Sequence, residues 1–178
     1  MDRNELIAEM ERVQDDFARM VTRASAVDLK RRSSGTRWTN RELLFHMVFG
    51  YLIVRTLMPL VRVLGRLGWS RRFAITLDAA RRPFHAINFF GSWAGGHVVP
   101  PKGMINLLRR TLRAIERRLD RETEASLALT MHFPPSWDPY FRPTMTVRDV
   151  YRYGTEHYDH HREQLTLPRA APECSAWG

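Results

Sequence analysis

Cysteine is almost missing from this chain. Cys174 is the only one in 178 residues, which excludes an internal disulfide framework. Lysine is almost missing as well. It occurs only at Lys30 and Lys102, so arginine supplies nearly all the cationic charge behind a net +9. No unbroken apolar run reaches the length of a bilayer crossing. The longest, Met47 to Val54, is bracketed by His46 and Arg55. The first residues (Asp2, Arg3, Glu5, Glu9, Glu11, Arg12) are mixed in charge and lack the apolar core of a signal peptide. These absences lead to the expectation of a cytoplasmic protein without membrane partners. A dense basic block with interleaved aromatics is missing too. The arginines are spread in pairs such as Arg31-Arg32, Arg71-Arg72, Arg109-Arg110 and Arg117-Arg118. A solvated basic surface is therefore favoured over a nucleic-acid footprint.

What is present is helical periodicity. Residues 2 to about 25 carry Leu6, Met10, Val13, Phe17, Met20 and Ala24 at helical spacing, with charge elsewhere. Thr39 and Glu42 form a capping box that starts a second helix, running to about residue 65 and apolar nearly all round. His46 and Gly50 lie on one face of it, and Pro59 is expected to kink its far end. Residues 102 to about 124 form a third helix. Its apolar stripe is Ile105, Leu108, Leu112, Ile115 and Leu119, and Arg110, Arg113, Arg117 and Arg121 make a basic face. That face is either solvated or a dock for an anionic partner. Thr146 and Asp149 make another capping box and start a fourth helix.

Four helices predict an all-α four-helix bundle with one long connection between the second and third. Within that connection, residues 70–82 could hold a short helix. Residues 84–101 (FHAINFFGSWAGGHVVPP) read as an aromatic, glycine-rich loop. The apolar character of 84–101 also points to a homodimer. One domain is expected over residues 1–167, with a disordered tail over 168–178 that contains Cys174.

The fourth helix carries the clearest chemistry. At about 100° per residue, Val150, Tyr153, His157, His161 and Gln164 fall within about 80° of one another. Arg148, Arg152, Glu156, Asp159 and Glu163 lie opposite. Two histidines thus occupy the middle of a face that ought to be apolar. Their i, i+4 spacing suits two ligands on one ion, although a hydrogen-bonded core role is the plainer explanation for either alone. His46 is the third inward histidine. His160 sits at the edge of the same face and competes with His161. His85 and His97, in the long connection, carry weak signals. Glu42 and Tyr153 are the candidates for a catalytic base or a substrate hydrogen bond, against plainer roles as cap and core residue.

The segments Trp38-Thr39-x-x-Glu42-Leu43-Leu44-x-His46, Thr146-Val-Arg-Asp149 and His157-x-x-x-His161-Arg-Glu-Gln164-Leu165 resemble the DinB/YfiT-like superfamily. The resemblance covers residues 1–65 and 102–166. It implies an up-down-down-up four-helix bundle and a divalent ion, zinc or nickel, on His46, His157 and His161. Family members include metal-dependent hydrolases and S-transferases that use mycothiol or bacillithiol. A low-molecular-weight thiol bearing carboxylates would suit an arginine-rich rim, so thiol transfer to a small-molecule substrate, which can itself be anionic, is the first expectation. Hydrolysis by activated water is the second. A non-enzymatic basic binding or stress-response module is the third.

Overall fold

A computed structural model describes residues 2–67, 70–79, 81–136 and 138–168. The expected tail lies outside the described residues, Pro168 excepted, and so does Cys174.

Helix α1 (Arg3–Arg23) starts at Asp2, whose side chain and that of Glu5 close a capping box. It buries Leu6, Met10, Val13, Phe17 and Val21. A short α2 (Ala26–Lys30), capped by Ser25 and Asp28, lies in the connection between the first two long helices. Helix α3 (Asn40–Leu67) follows. The Thr39 amide donates to Glu42 Oε2 at 2.7 Å, and the Glu42 amide donates back to Thr39 Oγ1 at 3.4 Å, so the predicted cap forms. The helix continues through Pro59. Helix α6 (Pro101–Leu119) begins with proline in its first turn, where no amide partner is needed, and ends earlier than its pattern suggests. Thr123 then caps a single turn, α7 (Glu124–Leu127). Helix α8 (Val147–Gln164) starts from the Thr146/Asp149 capping box.

The bundle consists of α1, α3, α6 and α8. Helix α1 packs on α6 and α8, and α3 packs on the same two. Specific pairs fix the directions. Arg12 meets Asp159 and Asp16 meets Arg162, so α1 and α8 run parallel. Gly50 lies against His157 and Tyr51 meets Thr155 further back, so α3 and α8 are antiparallel. Val54 and Met58 share a groove with Ile115, and Arg62 pairs with Glu122, so α3 and α6 run parallel. The result is the expected up-down-down-up bundle. Its core is continuous, with Phe17, Leu44, Met47, Tyr51, Leu112 and Tyr158 all essentially inaccessible.

Two readings of the sequence need correction. The first concerns residues 84–101. They are not a loop: α4 (Ser70–Ala79) is followed by a long helix, α5 (Arg81–Val98), which packs along α3. The glycines that suggested a loop are the places where the two helices touch. A Cβ at Gly95 would come within 2.0 Å of the Phe45 ring, and one at Gly96 within 2.9 Å of Glu42 Cα. Gly91, one turn before Gly95, lies against the Phe49 ring. Close approach, rather than a turn, explains these residues. The second concerns α3. By length and hydropathy its Asn40–Leu60 segment could cross a membrane, with a mean hydropathy of 1.6 over the richest window. It holds no long unbroken apolar run because Arg41, Glu42, His46 and Arg55 interrupt the pattern. In the structure this segment is the core helix of the bundle, with 56% of that window buried.

A two-stranded antiparallel ribbon was also missed. β1 (Thr130–His132) pairs with β2 (Thr144–Thr146), with Met131 opposite Met145. Three-residue strands are too short to show alternation. The ribbon holds together the two ends of the proline-rich segment 133–143.

Candidate metal centre

Buried Asn40 anchors the end of the bundle that carries the site. It donates to the Asp28 carbonyl and to Thr166 Oγ1, and it accepts from the Thr166 amide. This ties the start of α3 to the chain just beyond α8. His46, one and a half turns into α3, is therefore held opposite the last turns of α8.

Three histidines converge there. One ring nitrogen from each of His46, His157 and His161 lies within 4.8 Å of the others. His46 Nε2 and His161 Nε2 are 3.0 Å apart. His46 and His157 are buried, and His161 is partly so. The outer nitrogens of two rings are held by neighbours. His46 Nδ1 is 3.0 Å from Ser92 Oγ, on α5, and His161 Nδ1 is 2.8 Å from Gln164 Oε1. With Nδ1–H donating to each oxygen, both Nε2 lone pairs turn inward. This second hydrogen bond is how metal-binding imidazoles are usually oriented. Burial first, and then the neighbouring His161, holds His46 well below the ordinary histidine pKa. Burial followed by the other histidines does the same for His157. His161 is also lowered, mainly by burial. All three are thus kept neutral, the form that donates a lone pair to a metal.

Gly50 completes the cradle. A Cβ there would lie 2.7 Å from His157 Nδ1 and 2.8 Å from its Cε1. The His157 ring occupies the space that any larger residue would take. Trp38 covers His46 from the other side, with ring centroids 4.4 Å apart. The donor set, its neutral state and its fixed tautomers fit a divalent ion with an open coordination position.

A cavity of about 620 Å³ opens beside the three histidines. Its walls come from α3 (Phe49, Ile53, Leu57), α5 (Phe84, Ile87), the 133–143 segment (Phe133, Phe141) and α8 (Tyr153). No arginine or lysine lines it among the described residues, and its one carboxylate is Asp138. The sequence reading passed over Asp138. One carboxylate oxygen accepts from the Tyr140 amide at 2.9 Å, and the other accepts from Tyr153 Oη at 2.9 Å. Burial, and then Asp138, raises the Tyr153 hydroxyl well above the ordinary tyrosine value, so it remains a donor.

Of the other candidates, Tyr153 lines the cavity and its ring packs near His157. Glu42 does not line it. Its carboxylate caps α3 and lies 3.8 Å from His97 Nδ1 on α5. His160 is on the cavity wall but points its Nε2 toward the Gln164 amide, 3.4 Å away. His85 lines the cavity, and His97 donates to the Trp93 carbonyl, outside the cluster.

The family model described as the DinB superfamily matches residues 9–165. The chain belongs to the DinB superfamily. The match spans all four bundle helices, the histidine cluster and the α4–α5 insertion of this DinB-superfamily protein. Comparison with curated proteins and with solved structures finds no match.

Proposed function

We propose that this chain is a divalent-metal-dependent hydrolase of uncharged, largely apolar small molecules. His46, His157 and His161 would hold the ion. Bound there, a divalent ion such as zinc or nickel supplies the Lewis acidity that makes water nucleophilic near neutral pH. The observation that carries this reading is Asp138, a carboxylate fixed on the wall of an apolar cavity beside the three histidines.

Each residue then has a task. Phe49, Ile53, Phe133 and Phe141 seat the apolar body of the substrate and exclude bulk water. Asp138 takes the proton from the attacking water, and Tyr153 holds the carboxylate in place by donating to it. Ser92 and Gln164 keep the lone pairs of His46 and His161 directed inward.

Thiol transfer is the competing reading. It was favoured by charge, because carboxylates of a small thiol would meet arginines at the rim. Among the described residues the cavity lining offers no such partner, so charge does not support that reading. A thiol transferase acting on an apolar electrophile would still fit the size of the cavity. The two readings separate in one assay. A neutral aryl ester is incubated with metal-loaded protein, with and without an added low-molecular-weight thiol. Hydrolysis without thiol, reduced about 10²- to 10⁴-fold in kcat by Asp138→Asn, is expected. Turnover that requires the thiol and is unaffected by Asp138→Asn would replace hydrolysis with transfer.

A further inference from the structure

A second cleft lies at the other end of the bundle. Arg62 is sixteen residues beyond His46 on α3, about 24 Å away at 1.5 Å per residue. Its cleft of about 380 Å³ is lined by Arg62, Ala114, Arg117, Arg118 and Arg121. Four of the five lining residues are arginines: Arg62 from α3, Arg117 and Arg118 from the last turn of α6, and Arg121 from the turn just beyond it. This joins Arg62 of α3 to the basic face that the sequence shows over Arg110–Arg121, which the metal centre does not use.

The cleft is organised from behind. Glu122 is fully buried. Its carboxylate accepts from Ser126 Oγ at 2.6 Å and from Tyr151 Oη at 3.3 Å. It also pairs with Arg62 at 3.3 Å. Arg62 is therefore fixed in position at the cleft. Arg118 is different: among the described residues its guanidinium makes no hydrogen bond or ion pair, and its Nε is buried without a partner. The Arg62 Nε is also buried and unpaired.

A structural role accounts for part of this. Arg117 and Arg118 sit in the last turn of α6, where cations oppose the helix dipole. That role needs neither Arg62 nor Arg121.

We infer that this cleft binds the phosphoryl group of a small molecule, with Arg62 and Arg118 as the central donors and Arg117 and Arg121 at the rim. Guanidinium groups suit phosphate oxygens because their N–H donors form a fixed planar fork. The four arginines converge on a cleft of about 380 Å³ instead of running along one helix face, as Arg110, Arg113, Arg117 and Arg121 do in sequence. This favours a small ligand over a nucleic-acid backbone.

The test is a titration of the full, metal-loaded chain with inorganic phosphate and then pyrophosphate, read by the NMR signals of the arginine Nε–H groups. Two Nε–H signals should shift saturably, one of them missing in Arg118→Gln. Affinity should fall at least about tenfold in Arg118→Gln and in the more exposed Arg121→Gln. Arg113→Gln, which removes the same charge outside the cleft, should leave it unchanged. No saturable shift up to about 10 mM ligand would overturn the inference. So would equal weakening by Arg113→Gln and Arg118→Gln, which would indicate general attraction to a basic surface. Tighter binding of duplex DNA than of pyrophosphate, with a steep salt dependence, would assign the arginines to nucleic acid instead.

Discussion

Replacing Gly50 with alanine probes the geometry of the metal centre through a residue that is not itself a ligand. The added methyl would lie 2.7 Å from His157 Nδ1. Ordinary non-bonded contact needs about 3.5 Å, so the ring must retreat by about 0.8 Å. Metal–ligand bonds tolerate about 0.2 Å. His157 therefore cannot keep its place in the cluster without moving α3 away from α8. The effect on folding is smaller. Overpacking costs about 1–3 kcal/mol, while alanine gains up to about 1 kcal/mol over glycine within a helix. The variant should fold, with a net loss of no more than about 3 kcal/mol. Its metal affinity should fall about ten- to a hundredfold, as when an orienting neighbour is lost. The assay is competition with a chromophoric chelator, alongside urea denaturation of the metal-free protein. Unchanged affinity in a folded Gly50→Ala protein would refute the reasoning, because it would place His157 outside the coordination sphere.

Other expectations follow from the same structure. Ser92→Ala leaves His46 Nδ1 without its partner and should weaken metal binding about tenfold or more, whereas equal affinity would show that α5 does not orient the ligand. Gly154→Ala brings a methyl within 2.7 Å of the Tyr51 ring and should cost about 1–3 kcal/mol in denaturant melts, with a smaller effect on metal affinity than Gly50→Ala. Asp16 is pushed up by burial, but hydrogen bonds from Arg162 and Tyr158 outweigh this and hold its pKa below the ordinary carboxylate value. Its contribution is therefore present above about pH 4 and lost as pH falls through the folded-state value. Asp16→Asn should cost stability at pH 7 and progressively less on acidification, and a cost independent of pH would contradict this. Ile87, Phe90 and Trp93 on α5 are more than 45% exposed, so a second copy of the chain is the expected cover. Sedimentation should show a dimer that Phe90→Asp dissociates, against a monomer at every concentration if that face stays bare.

The frame of the fold was legible because its signals are local. Thr39 with Glu42, and Thr146 with Asp149, each complete a capping box within four residues. The face of α8 announces its histidines by their misplacement among apolar neighbours. Helix α5 was hidden because glycine has two meanings, a turn or a close approach, and only the position of α3 decides between them. The i, i+4 spacing of Gly91 and Gly95 was the available clue. Ser92 and Asp138 could not be found by spacing at all. Ser92 reaches His46 across 46 residues, and Asp138 is placed by a ribbon whose strands are three residues long. Among the described residues no arginine lines the cavity beside the three histidines, while Arg62, Arg117, Arg118 and Arg121 share a cleft at the opposite end of the bundle, since a count of charges says nothing of where they gather.

The most direct test of the metal centre is elemental analysis of the purified, untagged protein beside His157→Ala. About one zinc or nickel ion per chain, lost in the variant while its helical content is retained, is the expected result. No metal in either protein, even after reconstitution with both ions, would contradict it and leave His46, His157 and His161 as polar core residues.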